Sequence, residues 1–513
     1  MRNPHMRPLP ELALRVRGLR GAEAPLYLVG GAVRDWLLER PVHDLDFVLP
    51  RGAIAFARQV ADALRAAFFV LDPERDVARV IVHKGPERTP LFLDFAAYRG
   101  ESLEEDLRLR DFTINAMALD PFEPQRLHDP THGLQDLKDK VLRVCYPRAF
   151  LDDPIRILRA VRLSVQLGFR FEAETQRLLR RHVRGLARSS PERQRDELLR
   201  ILNHPKADVA LRVLGLVKAL NLVWPELPRL REVVLRADGS LNGWNYSLAT
   251  GHYLHRLMQT LHREYNPDAN ANFALGMVSW LLGRYRQQLA EHWNTRLHPY
   301  RTLRPILLWA AFYHAVGMAE ITPVPGPEGW RIYPGYAEQS AKLVEVRAKA
   351  LRLSHYEVRR LVRIVRYHIE PLHFAHRGPE ALSDRTIHRY FRAAGEAGID
   401  ATFVALASVL ARYGLSPPHD LWERHVRVAR RLFEAWWERH DQVIAPPVLL
   451  RGDQVQEVLG IQAGPLVGLA LRALQEAQAA GEVHSPDDAI LWLREWYQGY
   501  RSRKVNGTAP LAR

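Results

Sequence analysis

Asp44 and Asp46 stand two residues apart at the head of the apolar run Leu45, Phe47, Val48, Leu49. A strand alternates its side chains between two faces, so both carboxylates project from one side of a largely apolar sheet. Two like charges on a buried strand repel and lose hydration unless a cation lies between them. Oxygen ligands alone suit Mg²⁺ or Mn²⁺, which keep water and bind substrate phosphates as well. The competing reading pairs both aspartates with arginines at a strand end. The preceding residues weigh against it: Tyr27, Leu28 and Val29 run into Gly30 and Gly31, and a helical pattern starts at once. Paired glycines let the backbone turn tightly against a ligand. The helix start then offers free N–H groups and partial positive charge to a triphosphate.

Asp94 interrupts a second apolar alternation, LFLDFAAYRG. Three carboxylates can bridge two ions, activating an attacking hydroxyl and neutralising a leaving pyrophosphate. Nothing in the sequence sets the strand of Asp94 beside the strand of the other two.

The texture of the chain changes after Phe150. Before it, short strand-like runs at 26–29, 45–49, 68–71, 79–82 and 91–96 alternate with helical patterns at 32–38 and 53–66. Beyond it, apolar residues recur at helical spacing, as at 155–167, 195–202 and 358–369. The expected fold class is α+β: a small mixed-sheet head followed by an extended all-helical neck, body and tail. A chain of 513 residues exceeds one compact core. Clusters of Pro, Gly or Asn near 205, 238–245, 323–329 and 446–447 are candidate breaks, and a polar tail is expected from Ser502 onward. The excess of 73 Lys and Arg over 58 Asp and Glu gives a formal charge of +15, which suits a polyanionic partner. A single cysteine, Cys145, excludes internal disulfides and multi-cysteine zinc sites. No apolar run has the length of a signal peptide or a membrane span, so a cytoplasmic protein is expected.

Five motifs in order carry a resemblance to a known family. GGAVRD followed by DLD, DLRLRDFTINAMALD from Asp106, DPTHGLQDL from Asp129, LDDPIRILRAVRLSVQLGF from Leu151 and SPERQRDELLRIL from Ser190 resemble the motifs of class II tRNA nucleotidyltransferases and bacterial poly(A) polymerases. The second motif usually has two adjacent arginines; here Leu109 takes the first place, while Arg110, Asp111 and Asn115 are kept. The resemblance implies catalysis by Asp44, Asp46 and Asp94, with the metal on Asp44 and Asp46 and two Mg²⁺ ions as cofactor, Mn²⁺ being an alternative. It also implies a nucleotide pocket that draws on Gly30, Gly31, Arg34, Arg110, Asp111 and Asn115. Arg34 has a competing role as a fold salt bridge with Asp35.

The motif from Leu151 carries nucleotide choice. Asp153 and Arg156 are three residues apart and share a helical face. A carboxylate accepts hydrogen bonds and a planar guanidinium donates them, so the pair could read the edge of a base without a template. The resemblance gives this role to Asp152, Asp153 and Arg156, with Asp152 where the family has Glu. Arg159 and Arg162 continue the same side, for triphosphate or for solvent. An ordinary helix N-terminus, with Asp152 and Pro154 as capping chemistry, is compatible with both.

Five segments follow: a catalytic head at 1–146, a nucleotide-selecting neck at 147–204, a body at 205–375, a connector at 376–445 and a tRNA-binding module with its tail at 446–513. The body resembles an HD phosphohydrolase-like domain. His314 begins its His-Asp pair, Ala315 replaces the aspartate, His252 or His255 offers a first histidine, His368 a late one, and Tyr336 stands near an expected one. Loss of the bridging carboxylate makes this a degenerate, structural domain. The implied activity is transfer of CMP and AMP from CTP and ATP to the 3′ end of tRNA. Poly(A) synthesis and addition of only part of CCA are alternatives that share these motifs.

Overall fold

The computed structural model describes residues 9–21, 24–42, 44–83, 91–268 and 271–505. They divide into two compact units, 1–197 with 212–223, and 198–211 with 224–513.

The first unit is built on one sheet. Its strands are β1 (Tyr27–Val29), β2 (Leu45–Leu49), β3 (Ala67–Asp72), β4 (Val77–Val82), β5 (Leu91–Ala97), β6 (Ala118–Leu119) and β7 (Leu127–His128), ordered β3-β4-β5-β2-β1-β6-β7. β2 and β5 run parallel; every other pair is antiparallel. The five expected strands are β1 to β5, displaced by a residue or two at their ends. β6 and β7, two residues each, are too short to leave a periodic signal.

Alternation sets the two faces. Phe47 and Phe95 pair across β2 and β5 and stack at 5.3 Å, and Phe95 meets Phe56 from helix α3 (Ala53–Leu64) edge-on at 5.5 Å. Val60 and Ala57 of α3 are fully buried with them. Asp46 and Asp94, one residue away along each strand, therefore face the opposite side. One apolar face covered by a helix leaves the other free to carry charge.

The remaining helices of this unit are short. They include α1 (Glu11–Arg20) and α2 (Gly31–Leu37) before α3, and then α4 (Leu103–Arg108), α5 (Gly133–Lys138), α6 (Ala149–Asp152), α7 (Arg156–Leu167) and α8 (Ala173–His182). Helix α9 (Pro191–Leu202) follows, its first turn lying in this unit.

The second unit is mainly helical, but against the expected all-helical body it also holds two short antiparallel ribbons, Arg296–His298 with Arg301–Thr302 and Val324–Pro325 with Arg331–Ile332. Helices Gly243–Thr260, Leu303–Tyr313, His355–Tyr367 and Ala397–Tyr413 pack around fully buried Trp309, Phe312 and Phe403. The last three helices, Gly452–Leu459, Pro465–Ala479 and Pro486–Val505, gather about a core of their own that includes Val455, Leu474 and Leu493. Trp492 and Trp496 lie half-buried against that core, while Trp436 and Trp437, also half-buried, pack on Phe391 and Phe433. The expected break at 238–245 ends early, because the Asn242 side chain accepts the Asn245 N–H at 2.9 Å and starts a helix at Gly243. The expected polar tail also starts later than Ser502, since the last helix continues through Val505; residues 506–513 lie outside the described residues. Among the described residues no single helix is long and apolar enough to cross a membrane.

Candidate active site

The register of β2 and β5 places Asp46 directly beside Asp94, and Asp44, just before β2 begins, lies near enough for its charge to act on Asp46. The three carboxylates of the sequence reading are thus neighbours. Burial raises the Asp46 carboxyl to about 6; the Asp94 charge adds to this, Arg110 and Arg159 oppose it, and Asp44 adds a little more. A carboxyl pushed up by burial and by two like charges is the condition that a cation relieves. The third acid has a second allegiance that the sequence did not reveal. Arg79, opposite Asp94 in β4, donates from Nε to Oδ1 and from Nη2 to Oδ2, each at 2.7 Å. Among the described residues no group of three His, Cys, Asp or Glu side chains is gathered as a metal cage. Asp44 and Asp46 are a donor set of two carboxylates, which suits a cation that keeps water and takes further oxygens from phosphates.

Gly30 closes one side of this cluster. Its φ of 72° is costly for other residues, and a Cβ built there would stand 3.3 Å from Arg110 Nη1 and 3.4 Å from Asp46 Oδ2. The glycine turn and the acids are therefore one site. The helix start after it, α2, is only seven residues long, so little dipole supports an anion there. Positive charge comes instead from side chains. Arg110 is held by Asp106 through Nε at 3.1 Å and Nη2 at 3.0 Å, which leaves Nη1 toward Gly30.

Arg34 takes the competing role. Buried, it binds Asp35 at 2.9 and 2.8 Å and donates to Asn115 Oδ1 at 2.6 Å. Asn115 donates to Asp111 Oδ1 at 3.1 Å, and Asp111 Oδ2 meets Arg159 Nε at 2.9 Å. Burial pushes the Asp111 carboxyl up, but Arg159, Asn115, the Phe112 N–H and Arg156 together hold it below its ordinary value. Arg34, Asn115 and Asp111 thus form an internal relay that fixes Arg159 near the acids, while Gly31 opens α2 beside the Arg34 guanidinium.

The selecting segment is broken in two. α6 ends at Asp152, Asp153 is extended with φ −142° and ψ 92°, and α7 begins at Arg156. Asp152 is half exposed and 3.5 Å from Arg148. Arg156 is buried, donating to the carbonyls of Leu109 at 3.3 Å and Arg110 at 3.4 Å and to the Tyr146 hydroxyl at 3.1 Å. Its Nε lies 3.9 Å from Asp153 Oδ2. Arg193, in the first turn of α9, grips both oxygens of Asp153 at 3.0 and 2.7 Å. Arg162 turns away to Glu197 at 2.7 Å and Gln166 at 3.1 Å. Sequence reasoning missed the roles of Arg79, Asp106, Tyr146 and Arg193; Asp106 and Arg193 carried a signal, since they lie inside the DLRLRDF and SPERQRDE motifs.

In the second unit His314 and His368 form a closed pair. His314 is fully buried with Nδ1 2.8 Å from the Ala311 carbonyl, and its ring meets His368 at 5.0 Å and Tyr246 at 5.0 Å. A carbonyl only accepts, so Nδ1 carries the proton. His368 repeats this with Val365, and its Nε2 lies 2.9 Å from the Tyr336 hydroxyl. Burial drives His368 down to about 4 and His314 well below its ordinary range, so both rings are neutral near pH 7. His255 lies apart, its Nε2 2.9 Å from the Leu202 carbonyl, and His252 is 3.8 Å from Asp208.

A mixed sheet that sets paired carboxylates beside a glycine turn, followed by a helical segment of Asp and Arg, is the architecture of a nucleotidyltransferase head. The description "Poly A polymerase head domain" matches residues 26–143, and "Probable RNA and SrmB-binding site of polymerase A" matches 168–230. The A-adding tRNA nucleotidyltransferase of Deinococcus radiodurans is 33% identical over 91% of this chain and 95% of its own. The CC-adding tRNA nucleotidyltransferase of Thermus thermophilus is 31% identical over 94% and 95%. The chain belongs to the tRNA nucleotidyltransferase family, a family of metal-dependent enzymes. Its fold is shared with the Thermotoga maritima CCA-adding enzyme solved in complex with tRNA, at TM-score 0.52 and 20% identity over 96% of this chain and 99% of that one. A CCA-adding enzyme solved with CTP gives TM-score 0.57 at 20% identity over the same shares.

Proposed function

We propose that the protein extends the 3′ end of tRNA with CMP and AMP taken from CTP and ATP, without a template. The observation that carries the reading is the alignment of Asp46 with Asp94 next to Gly30 and Arg110, in a chain of this family. The RNA 3′-hydroxyl attacks the α-phosphorus in line, the bond from α-phosphorus to the bridging oxygen breaks, and pyrophosphate leaves. Two Mg²⁺ ions on Asp44 and Asp46, with Mn²⁺ as a substitute, would supply activation of the hydroxyl and neutralisation of the departing charge. Asp94 orients the pair, and with Arg79 on one lone pair of each oxygen it keeps a second lone pair for a cation. Gly30 and Gly31 leave room for the triphosphate backbone, and Arg110 and Arg159 balance its charge. Arg34, Asp111 and Asn115 act behind them by holding Arg159. Asp153 and Arg156 read the base, Asp152 flanks them, and Arg162 ties α7 to α9.

The five-segment division at 146, 204, 375 and 445 remains our reading of how these tasks are shared, with the tRNA elbow assigned to the last module. A second reading, addition of only part of CCA, draws on the relatives. Those aligned over more than nine-tenths of the chain are named A-adding or CC-adding, whereas multifunctional CCA proteins align over 42% and 67%. Incubation of tRNA lacking its terminus with single nucleotides and with pairs separates the outcomes. C followed by A supports full addition, C or A alone supports the partial enzyme, and long A tails or no incorporation overturn both readings.

A further inference from the structure

Asp153 is poorly restrained by its own backbone. It sits in extended conformation between α6 and α7, its side chain a quarter exposed. The last torsion of an aspartate is broad, so a carboxylate in such a place samples many directions. A group that must tell one base edge from another needs one direction. The molecule supplies it from a distant point in the chain. Arg193 donates from Nη1 to Oδ1 at 3.0 Å and from Nη2 to Oδ2 at 2.7 Å, a fork-to-fork pair that fixes the carboxylate plane. Arg193 is itself anchored where α9 starts, its N–H on Ser190 Oγ at 3.4 Å.

We propose that Arg193 is a positioning residue for base selection, holding Asp153 so that it accepts the exocyclic amino group of cytosine or adenine and refuses the carbonyl of uracil or guanine. This rests on the reading of Asp153 and Arg156 given above. A carboxylate has about four lone-pair sites, and a bidentate arginine takes one on each oxygen. Arg156 stands 3.9 Å from Oδ2, so the second site on Oδ1 is the one left for a base. A carbonyl oxygen brought to that site meets negative charge with no proton between, which is the rejecting interaction. A lysine at 193 would keep the charge and lose the fixed plane.

The test is single-nucleotide incorporation into tRNA lacking its terminus, with the ratio of kcat/KM for CTP over UTP and for ATP over GTP as the readout. Arg193→Ala is expected to lower the ratio for each incorporated base by about tenfold or more, mainly through a higher KM for the correct nucleotide. Arg193→Lys is expected to lose nearly as much, and it carries the test if the alanine variant does not fold. Added to Asp153→Asn, Arg193→Ala should change the ratio by less than about twofold, because both act through one carboxylate. An unchanged ratio, an equal loss for all four nucleotides, or full additivity with Asp153→Asn would overturn the proposal. A wild-type protein that incorporates nucleotides without preferring cytosine to uracil and adenine to guanine would overturn the role of Asp153 instead, and the proposal with it.

Discussion

Arg79 holds both carboxylate oxygens of Asp94 at 2.7 Å, from the strand next to the one that carries Asp94. Asp94 in turn raises the Asp46 carboxyl from the other side. The guanidinium therefore tunes a site it does not enter.

Removing Arg79 leaves Asp94 facing Asp46 without its counter-charge. Arg79→Ala is expected to cut transfer by about tenfold at pH 6 and much less at pH 8.5, because Asp46 then faces an uncompensated negative charge and holds its proton more tightly. Rates measured across that range at saturating Mg²⁺ check it; an equal loss at both ends would contradict the idea.

Asp44 and Asp46 are expected to be indispensable. The double alanine variant should lose about a thousandfold or more in kcat while keeping tRNA affinity and its circular dichroism spectrum. Full-speed transfer by that variant would dismantle the account of the site.

Arg156 donates to the Leu109 and Arg110 carbonyls in addition to the base reading proposed for it. Arg156→Ala should lower discrimination among nucleotides about a hundredfold and cost about 1–2 kcal/mol of stability, with tRNA binding intact. Unchanged CTP and ATP kinetics would rule the base reading out.

His292 is the pH-sensitive part of the helical unit. Burial opposes its charge, but Asp400, 2.9 Å away, and the Glu396 side chain outweigh burial and lift it to about 9. A histidine raised above its unfolded value of 6.5 stabilises the fold fully below that pH and loses the contribution as pH rises through about 9. Denaturant unfolding should show stability falling by roughly 2–3 kcal/mol between pH 6.5 and 9.5. His292→Gln should flatten that fall; a wild-type profile flat over the same range would refute the assignment.

The His314 set is expected to be inert toward phosphate esters. With Ala315 in place of the acid and Tyr336 on His368 Nε2, added Mn²⁺ or Ni²⁺ should give no hydrolysis of a 2′,3′-cyclic phosphate. Metal-dependent hydrolysis abolished by His314→Ala would show the contrary.

Much of this molecule was written locally. Alternation around Asp46, the Gly30–Gly31 turn and the helical spacing after Phe150 need only neighbours within a few residues, so the α+β order and the acidic pair could be read directly. Arg34 illustrates the limit. Its charge and motif place were visible, but whether it met a phosphate or Asp35 depended on Asn115, 81 positions away. Strand adjacency is likewise non-local: nothing along the chain set β5 beside β2, and that pairing alone makes Asp94 a neighbour of Asp46.

The sequence by itself determined which residue types were available and their periodicity: acids on one strand face, a turn only glycine fits, Asp and Arg beside a helix start. Tertiary structure decided their partners, giving Arg79 to Asp94, Arg159 to Asp111 and Arg193 to Asp153. Periodicity is fixed by backbone geometry over a few residues, whereas a charge takes its counter-ion from whatever the folded chain brings within about 3 Å.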